Sequence, residues 1–180
     1  MSYYYLIASL PMLELESEPT LSLAAFRSLC AEHLTSTELR ALDALLDPTV
    51  ETANAFVRNW QDRETQIRNA VARLRSARRS QDPTPFLRPT IDLSPGIERR
   101  CAEAMSRPNP LERERALDRI RWAEVQDAAG VDTFSLNAVL AYAVMLQLVE
   151  RWTTMNDEAG QQRLEALATQ TTGTATALAS

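Results

Sequence analysis

The chain predicts an all-α fold: an elongated helical bundle with one helix of about 30 residues and a short extended segment at the N-terminus. Three observations carry that reading. Residues 50–79 contain no Gly or Pro, and Ala53, Trp60, Ile67 and Leu74 recur every seven residues. Val57 and Val71 fill the neighbouring seam, which Glu64 interrupts. Helix-start signals recur as well: Thr35-Ser36-Thr37-Glu38 is a capping box, and Asn109-Pro110-Leu111-Glu112 supplies a cap, a first-position Pro and an early acid. Finally, a helix-ending pattern is repeated at an offset of 30. Arg121-Trp122 leads to Asp127, Ala129 and Gly130, and Arg151-Trp152 leads to Asp157, Ala159 and Gly160. In each copy the Trp is an anchor and the Gly takes a left-handed cap.

Residues 3–10 are β-prone by composition, and Leu10 precedes a Pro, which disfavours helix there. A docked extended segment is the first reading and a single helical turn the competing one. Thr20 or Ser22 can cap a helix to about residue 34, with Leu23, Phe26 and Cys30 on one stripe. The capping box opens a second helix, with Leu39, Leu42, Leu45 and Leu46 inward and Asp47-Pro48 at its end. At 1.5 Å per residue the long helix spans about 45 Å, which implies a stalk-like shape. Pro83, Pro85, Pro89 and Pro95 make residues 80–95 a semi-rigid loop. Ile97, Cys101 and Met105 then align at i+4 on a short helix. The helix from Asn109 ends at Gly130, and Asp132, Thr133 or Ser135 caps the last major helix, which runs through the most apolar stretch to Gly160. A small helix over 161–168 completes a single domain, 1–168, and the Thr- and Ala-rich residues 169–180 read as a disordered tail.

All 19 basic residues are Arg, so Schiff-base chemistry and a P-loop Lys are excluded. Residues 1–57 hold two Arg against eight acids, residues 58–107 eleven against six, and residues 108–180 six against ten. A locally basic middle thus stands in a chain of net charge −5. Cys30 and Cys101 both fall in apolar helical patterns, which favours two reduced, packed thiols over a bridge. The apolar run 3–10 has no preceding positive charge and is cut by Pro11, and no uncharged stretch is long enough to span a bilayer, so the expected location is cytoplasmic.

No Gly-rich phosphate loop, nucleophile elbow or zinc spacing is present, and no cofactor is expected. His33 is the sole histidine and reads as a surface or boundary residue. Glu112, Glu114, Asp118 and Glu124 interleave with Arg113, Arg115, Arg119 and Arg121. Pairs such as Glu112–Arg115 and Asp118–Arg121 read as a solvated, ion-paired face rather than acid–base machinery. Trp122 and Trp152 read as core anchors, and Arg121 or Arg151 could instead reach a buried acid. Arg73, Arg75, Arg78 and Arg79 cluster at the end of the long helix. They complement the helix dipole on a solvated face, or they form a docking patch for an acidic protein. Nucleic acid fits less well, because the chain is acidic and the cluster lacks interleaved aromatics.

The opening Tyr3-Tyr4-Tyr5-Leu6-Ile7-Ala8-Ser9-Leu10-Pro11 resembles that of a family of small bacterial proteins. So do Arg68-Asn69 and the C-terminal block: Asn109 to Glu114, Leu117, Arg121-Trp122, Phe134-Ser135, Ala141-Tyr142, Leu146-Gln147-Leu148, Glu150-Arg151-Trp152 and Gly160. Members are often encoded among V-type ATPase genes and resemble a short form of that enzyme's socket subunit, the helical piece that joins the central shaft to the membrane rotor ring. The full socket subunit is much longer. The resemblance implies a non-enzymatic stalk or assembly subunit with protein partners, possible V-type ATPase subunits among them, and with no membrane insertion of its own. Its motif residues here are Tyr4, Pro11, Glu114, Arg121, Trp122, Tyr142, Arg151 and Trp152. The alternative is a stand-alone adaptor or regulator that binds an acidic protein through Arg68, Asn69, Arg73, Arg75, Arg78 and Arg79. An enzyme would need a deep pocket around Glu114, Arg121 and Arg151.

Overall fold

The computed structural model describes residues 3–91 and 94–153, and every described element is helical. Seven α-helices follow one another: α1 Tyr4–Ser9, α2 Leu23–His33, α3 Ser36–Leu46, α4 Ala55–Arg78, α5 Pro95–Ser106, α6 Pro110–Ala129 and α7 Leu136–Thr153. A single 3-10 turn, Thr84–Phe86, lies in the loop between α4 and α5. The second copy of the Trp-to-Gly pattern (Asp157, Ala159, Gly160), the helix expected over 161–168 and the tail 169–180 lie outside the described residues.

The N-terminal segment corrects the expectation of an extended strand: Tyr4–Ser9 is helical. A strand needs a neighbour to satisfy its backbone, and none exists among the described residues, whereas a helical turn bonds to itself. Leu6 is buried at its centre, the Tyr3 hydroxyl donates to Glu38, and Leu10 is extended before Pro11 as the pre-proline rule requires.

The start signals act as written. Ser22 accepts from the Ala25 N–H at 3.2 Å, and Thr35 and Glu38 form a complete capping box. Asn54, Asn109 and Ser135 accept from Val57, Leu111 and Ala138 in the same manner. The long helix is shorter than expected, 24 residues or about 36 Å. Asn54 caps it and itself donates to Thr52, so residues 50–54 stay outside and Ala53 is exposed. Trp60 and Ile67 of the heptad stripe are buried, and Leu74 is half-buried. Gly130 ends α6 at φ 80°, a backbone conformation that side chains resist.

Hydrogen bonds and ion pairs give the helix directions. Glu64 meets Arg121 and Arg75 meets Glu114, so α4 and α6 run antiparallel. Arg151 meets Glu114 and Asp118, so α7 turns back along α6. The Gln66 side chain meets the Ser94 N–H, Arg73 meets Glu98, and Arg78 donates to the Met105 carbonyl, so α5 runs parallel to α4. Residues 79–91 must therefore return along α4 before α5 begins.

Two apolar clusters lie along α4 and α6. The first holds Leu6, Phe26, Cys30, Leu42, Phe56, Val57, Trp60, Val125 and the α7 residues Val139 to Leu146. The second holds Ile67, Ala70 and Val71 of α4, Ile97, Cys101, Ala104 and Met105 of α5, and Ala116, Leu117 and Ile120 of α6. Both cysteines are free and buried, one in each cluster. Burial pushes Cys30 up to about 12 and Cys101 up to about 11, the latter against the pull of Arg121 and Arg100.

Candidate functional site

The richest chemistry lies where the two clusters meet. Successive three-residue steps on a helix turn by about 300°, so Asp118, Arg121 and Glu124 wind around α6 from the α7 side to the α4 and α5 side. Asp118 is 0% exposed and accepts three bonds: from Arg121 at 2.8 Å, from Arg151 at 3.3 Å and from the Trp152 indole N–H at 2.9 Å. Arg121 also reaches Glu64 at 2.9 Å, and Glu64 accepts from Arg68 on the surface at 2.8 Å. Arg151 also reaches Glu114 at 3.0 Å, which Arg75 approaches at 3.6 Å. The guanidinium carbons of Arg115 and Arg151 lie 5.7 and 5.9 Å from the Trp152 ring centre. Farther along, buried Glu124 takes Arg63 at 2.7 Å and Arg100, and Arg63 also holds Asp127 at 2.8 Å.

This corrects the expectation of a solvated face on α6. Glu112 is exposed, but Asp118 and Glu124 face inward and hold arginines from three neighbouring helices. Burial alone would lower the pKa of Arg121, yet the charges and hydrogen bonds of Glu64 and Asp118 raise it overall. Arg63 follows the same pattern, with Asp127 and Glu124 outweighing burial. No buried side-chain nitrogen or oxygen lacks a hydrogen-bond partner among the described residues.

A second polar feature pins the return loop. Asp62, Gln66 and Asn69 stand at i, i+4 and i+7 on one face of α4. Asn69 exchanges two bonds with the Arg88 backbone, at 2.7 and 3.0 Å. Asp62 accepts from Ile91 N–H at 2.7 Å, and Gln66 accepts from Ser94 N–H at 2.9 Å while donating to Asp62 at 2.8 Å. Three side chains thus substitute for the sheet or helix partners that the loop backbone lacks. The belt and the loop together border an open cleft of about 460 Å³, lined by Asn59, Asp62, Arg63, Gln66, Ser94, Ile97, Arg100, Ala123, Glu124 and Asp127. Of its charged side chains, Arg63, Arg100, Glu124 and Asp127 are already engaged with one another, and Asp62 holds Gln66 and the Ile91 N–H.

The residues singled out in the sequence fall into four places. Arg121, Arg151 and Trp152 converge on Asp118, and Glu114 joins them through Arg151. Pro11 and Tyr142 meet directly, the Tyr142 hydroxyl donating to the Pro11 carbonyl at 2.9 Å, and burial pushes that phenol up to about 12. Tyr4 lies on the surface against Phe134, and Trp122 is half-buried beside the belt in sequence only. In the Arg group, Arg73 pairs with Glu98 at 3.1 Å, Arg78 binds the Met105 carbonyl, Asn69 is buried under the loop, and Arg79 is exposed. Glu64, Arg63, Arg100, Asp62 and Gln66 were not singled out. The readable signal was the amide-rich i, i+4, i+7 face of α4, whose short polar groups suit backbone binding.

Residues 99–171 match the model of one family, described as a protein of unknown function (DUF2764). The matched stretch is 73 of the 180 residues, fewer than half of the chain. It contains Asp118, Arg121, Glu124, Arg151 and Trp152, while Arg63 and Glu64 come from α4 outside it. No curated protein and no solved structure matches the chain. Among the described residues, no helix is long and apolar enough to cross a membrane and no His, Cys, Asp and Glu group could hold a metal ion.

Proposed function

We propose that the protein is a non-enzymatic assembly or stalk subunit of a V-type ATPase, working as a short counterpart of the helical socket between shaft and rotor, cytoplasmic and peripheral to the membrane through its partners. The observation that carries this reading is how the charges are used: the buried acids and arginines of α6, α7 and α4 are bonded to one another. A belt of that kind locks helices into one register and leaves little free for acid–base or nucleophilic work. The resemblance adds a second support. Its two sequence blocks touch in the fold, Pro11 on Tyr142 and Tyr4 on Phe134, so they belong to one packed unit.

Co-purification tests it. A tagged chain expressed beside the ATPase should be recovered with the complex in fixed ratio. An intact, active ATPase that never contains the protein rejects the proposal.

The competing reading, an adaptor docking an acidic protein through Arg68 to Arg79, draws less support, because Arg73, Arg75 and Arg78 already engage their own chain. Arg79→Glu is the clean variant for it, since Arg79 is exposed.

A further inference from the structure

We infer that the cavity between the end of α3 and the start of α4 binds a small organic phosphate. Its volume is about 610 Å³, within the range of small-molecule sites, and Arg40 of α3, the connection around Glu51 and Thr52, and Arg58 of α4 line it. The cleft beside the belt is already neutralised, with Arg63 and Arg100 held by Glu124 and Asp127. Here the cations are left over. Arg58 makes no hydrogen bond or ion pair among the described residues, and Arg40 engages only its Nε, on the Glu51 carbonyl at 3.0 Å. A bond to a neutral carbonyl leaves the charge in place and the two Nη groups free. Glu51 is the only acid of the lining, and its carboxylate pairs with neither guanidinium. Arg58 is the fourth residue of α4, whose first turn carries no acid. A helix start favours negative charge and disfavours a cation, and helical side chains lean toward that start. The described chain supplies no counter-charge there, so an anion from outside relieves both arginines.

The free groups choose the ligand. Beside the two guanidiniums stand the Thr52 hydroxyl, which accepts from the Asn54 N–H and keeps its own hydrogen to donate, and the Gln61 amide, which is unengaged. A carboxylate has two oxygens in one plane and suits a single arginine fork. A tetrahedral phosphate monoester has three free oxygens and takes two forks with a hydroxyl besides. Pro48 and half-buried Val50 give the cavity an apolar side on which the carbon part of the ester lies. The carboxylates of Glu51 and of exposed Asp47 nearby in the chain oppose a longer polyanion such as a nucleic-acid backbone. This site goes beyond the assembly reading and does not rest on it, because the isolated chain carries every group involved.

Nitrogen-15 NMR titration of the full chain tests this with three probes: phenyl phosphate, phenylacetate as its carboxylate counterpart, and a short single-stranded DNA. Phenyl phosphate should bind saturably and shift the amide signals of residues 49–61, with phenylacetate about tenfold weaker and the DNA leaving those signals unmoved. Arg58→Gln and Arg40→Gln should each weaken phenyl phosphate about tenfold. Arg79→Gln, which alters an exposed arginine at the far end of α4, should bind as the parent does. Should Arg40→Gln disturb the connection by losing the Glu51 carbonyl, Arg58→Gln decides, because that side chain holds nothing else in place. No saturable binding of phenyl phosphate, unchanged affinity in Arg58→Gln, equal affinity for phenylacetate, or DNA binding at the same signals overturns the proposal.

Discussion

The first apolar cluster draws on six helices and closes over Phe26, Leu42, Val57, Leu140 and Leu146 with almost no polar group inside. The second is shared by only three helices, α4, α5 and α6, and a loop held by Asp62, Gln66 and Asn69 runs along its α4 edge. The two clusters share α4 and α6, and the ion-pair belt separates them. An apolar boundary would slide, since Leu-for-Leu contacts are interchangeable along a helix, whereas Asp118 accepts from Arg121, Arg151 and Trp152 in one register only. The first region supplies most of the buried apolar surface, and the belt specifies how the second is set against it.

The largest effect should come from the belt. Asp118→Ala leaves Arg121 and Arg151 without a shared acceptor and should cost about 3–5 kcal/mol, read from urea unfolding by circular dichroism. A loss under about 1 kcal/mol would mean that the belt specifies nothing.

The separation of the clusters can be broken next. Ile97→Ala should cost about 2–5 kcal/mol. It should speed N-ethylmaleimide labelling of Cys101 while Cys30 keeps its protection. Both native thiols should resist labelling at neutral pH, being buried and held protonated. Equal acceleration at both cysteines would show one cooperative core and erase the distinction drawn above.

Asn69→Ala removes both bonds to Arg88 and should cost about 1–3 kcal/mol, with protease cutting in residues 80–94 rising well before global unfolding. Cutting that waits for the main transition would place the loop in the core unit instead.

The smallest effect sharpens the first region. Burial raises the Glu38 carboxyl, but hydrogen bonds from Tyr3 and Thr35 hold it below its ordinary value of 4.5 overall. Its contribution is therefore complete above that value and lost as pH falls through the folded pKa. Glu38→Gln should lower stability modestly in the neutral region and approach the parent as pH falls below 4.5, which flattens the acid limb of the stability curve. An identical acid limb in the variant would remove Glu38 from the account.

The same chain shows which parts of this arrangement were legible beforehand. Caps at Thr35 and Asn109, the stop at Gly130 and the stripe Ile97, Cys101, Met105 are local, set by bonds within one turn or by spacing on one helix, and they stand as expected. Tyr3 to Leu10 misled because β-prone composition describes a fit to neighbouring strands, and this chain offers them none among the described residues. The interleaved acids of α6 misled because Glu and Arg at i+3 suit water and a buried network equally well. Three-dimensional packing alone brought Arg63, Arg100 and Arg151, far apart in the chain, to Glu124 and Asp118.

By itself the sequence determined that this protein is helical, where most helices begin and end, and which residues stay apolar, because those are decided by hydrogen bonds and side chains a few positions apart. Tertiary structure decided which acids lose their water, that α4 and α5 run parallel across a pinned loop, and that Arg40 and Arg58 line one cavity. Each depends on distant segments meeting, and the energy of a buried charge exists only once its partner from another helix is in place.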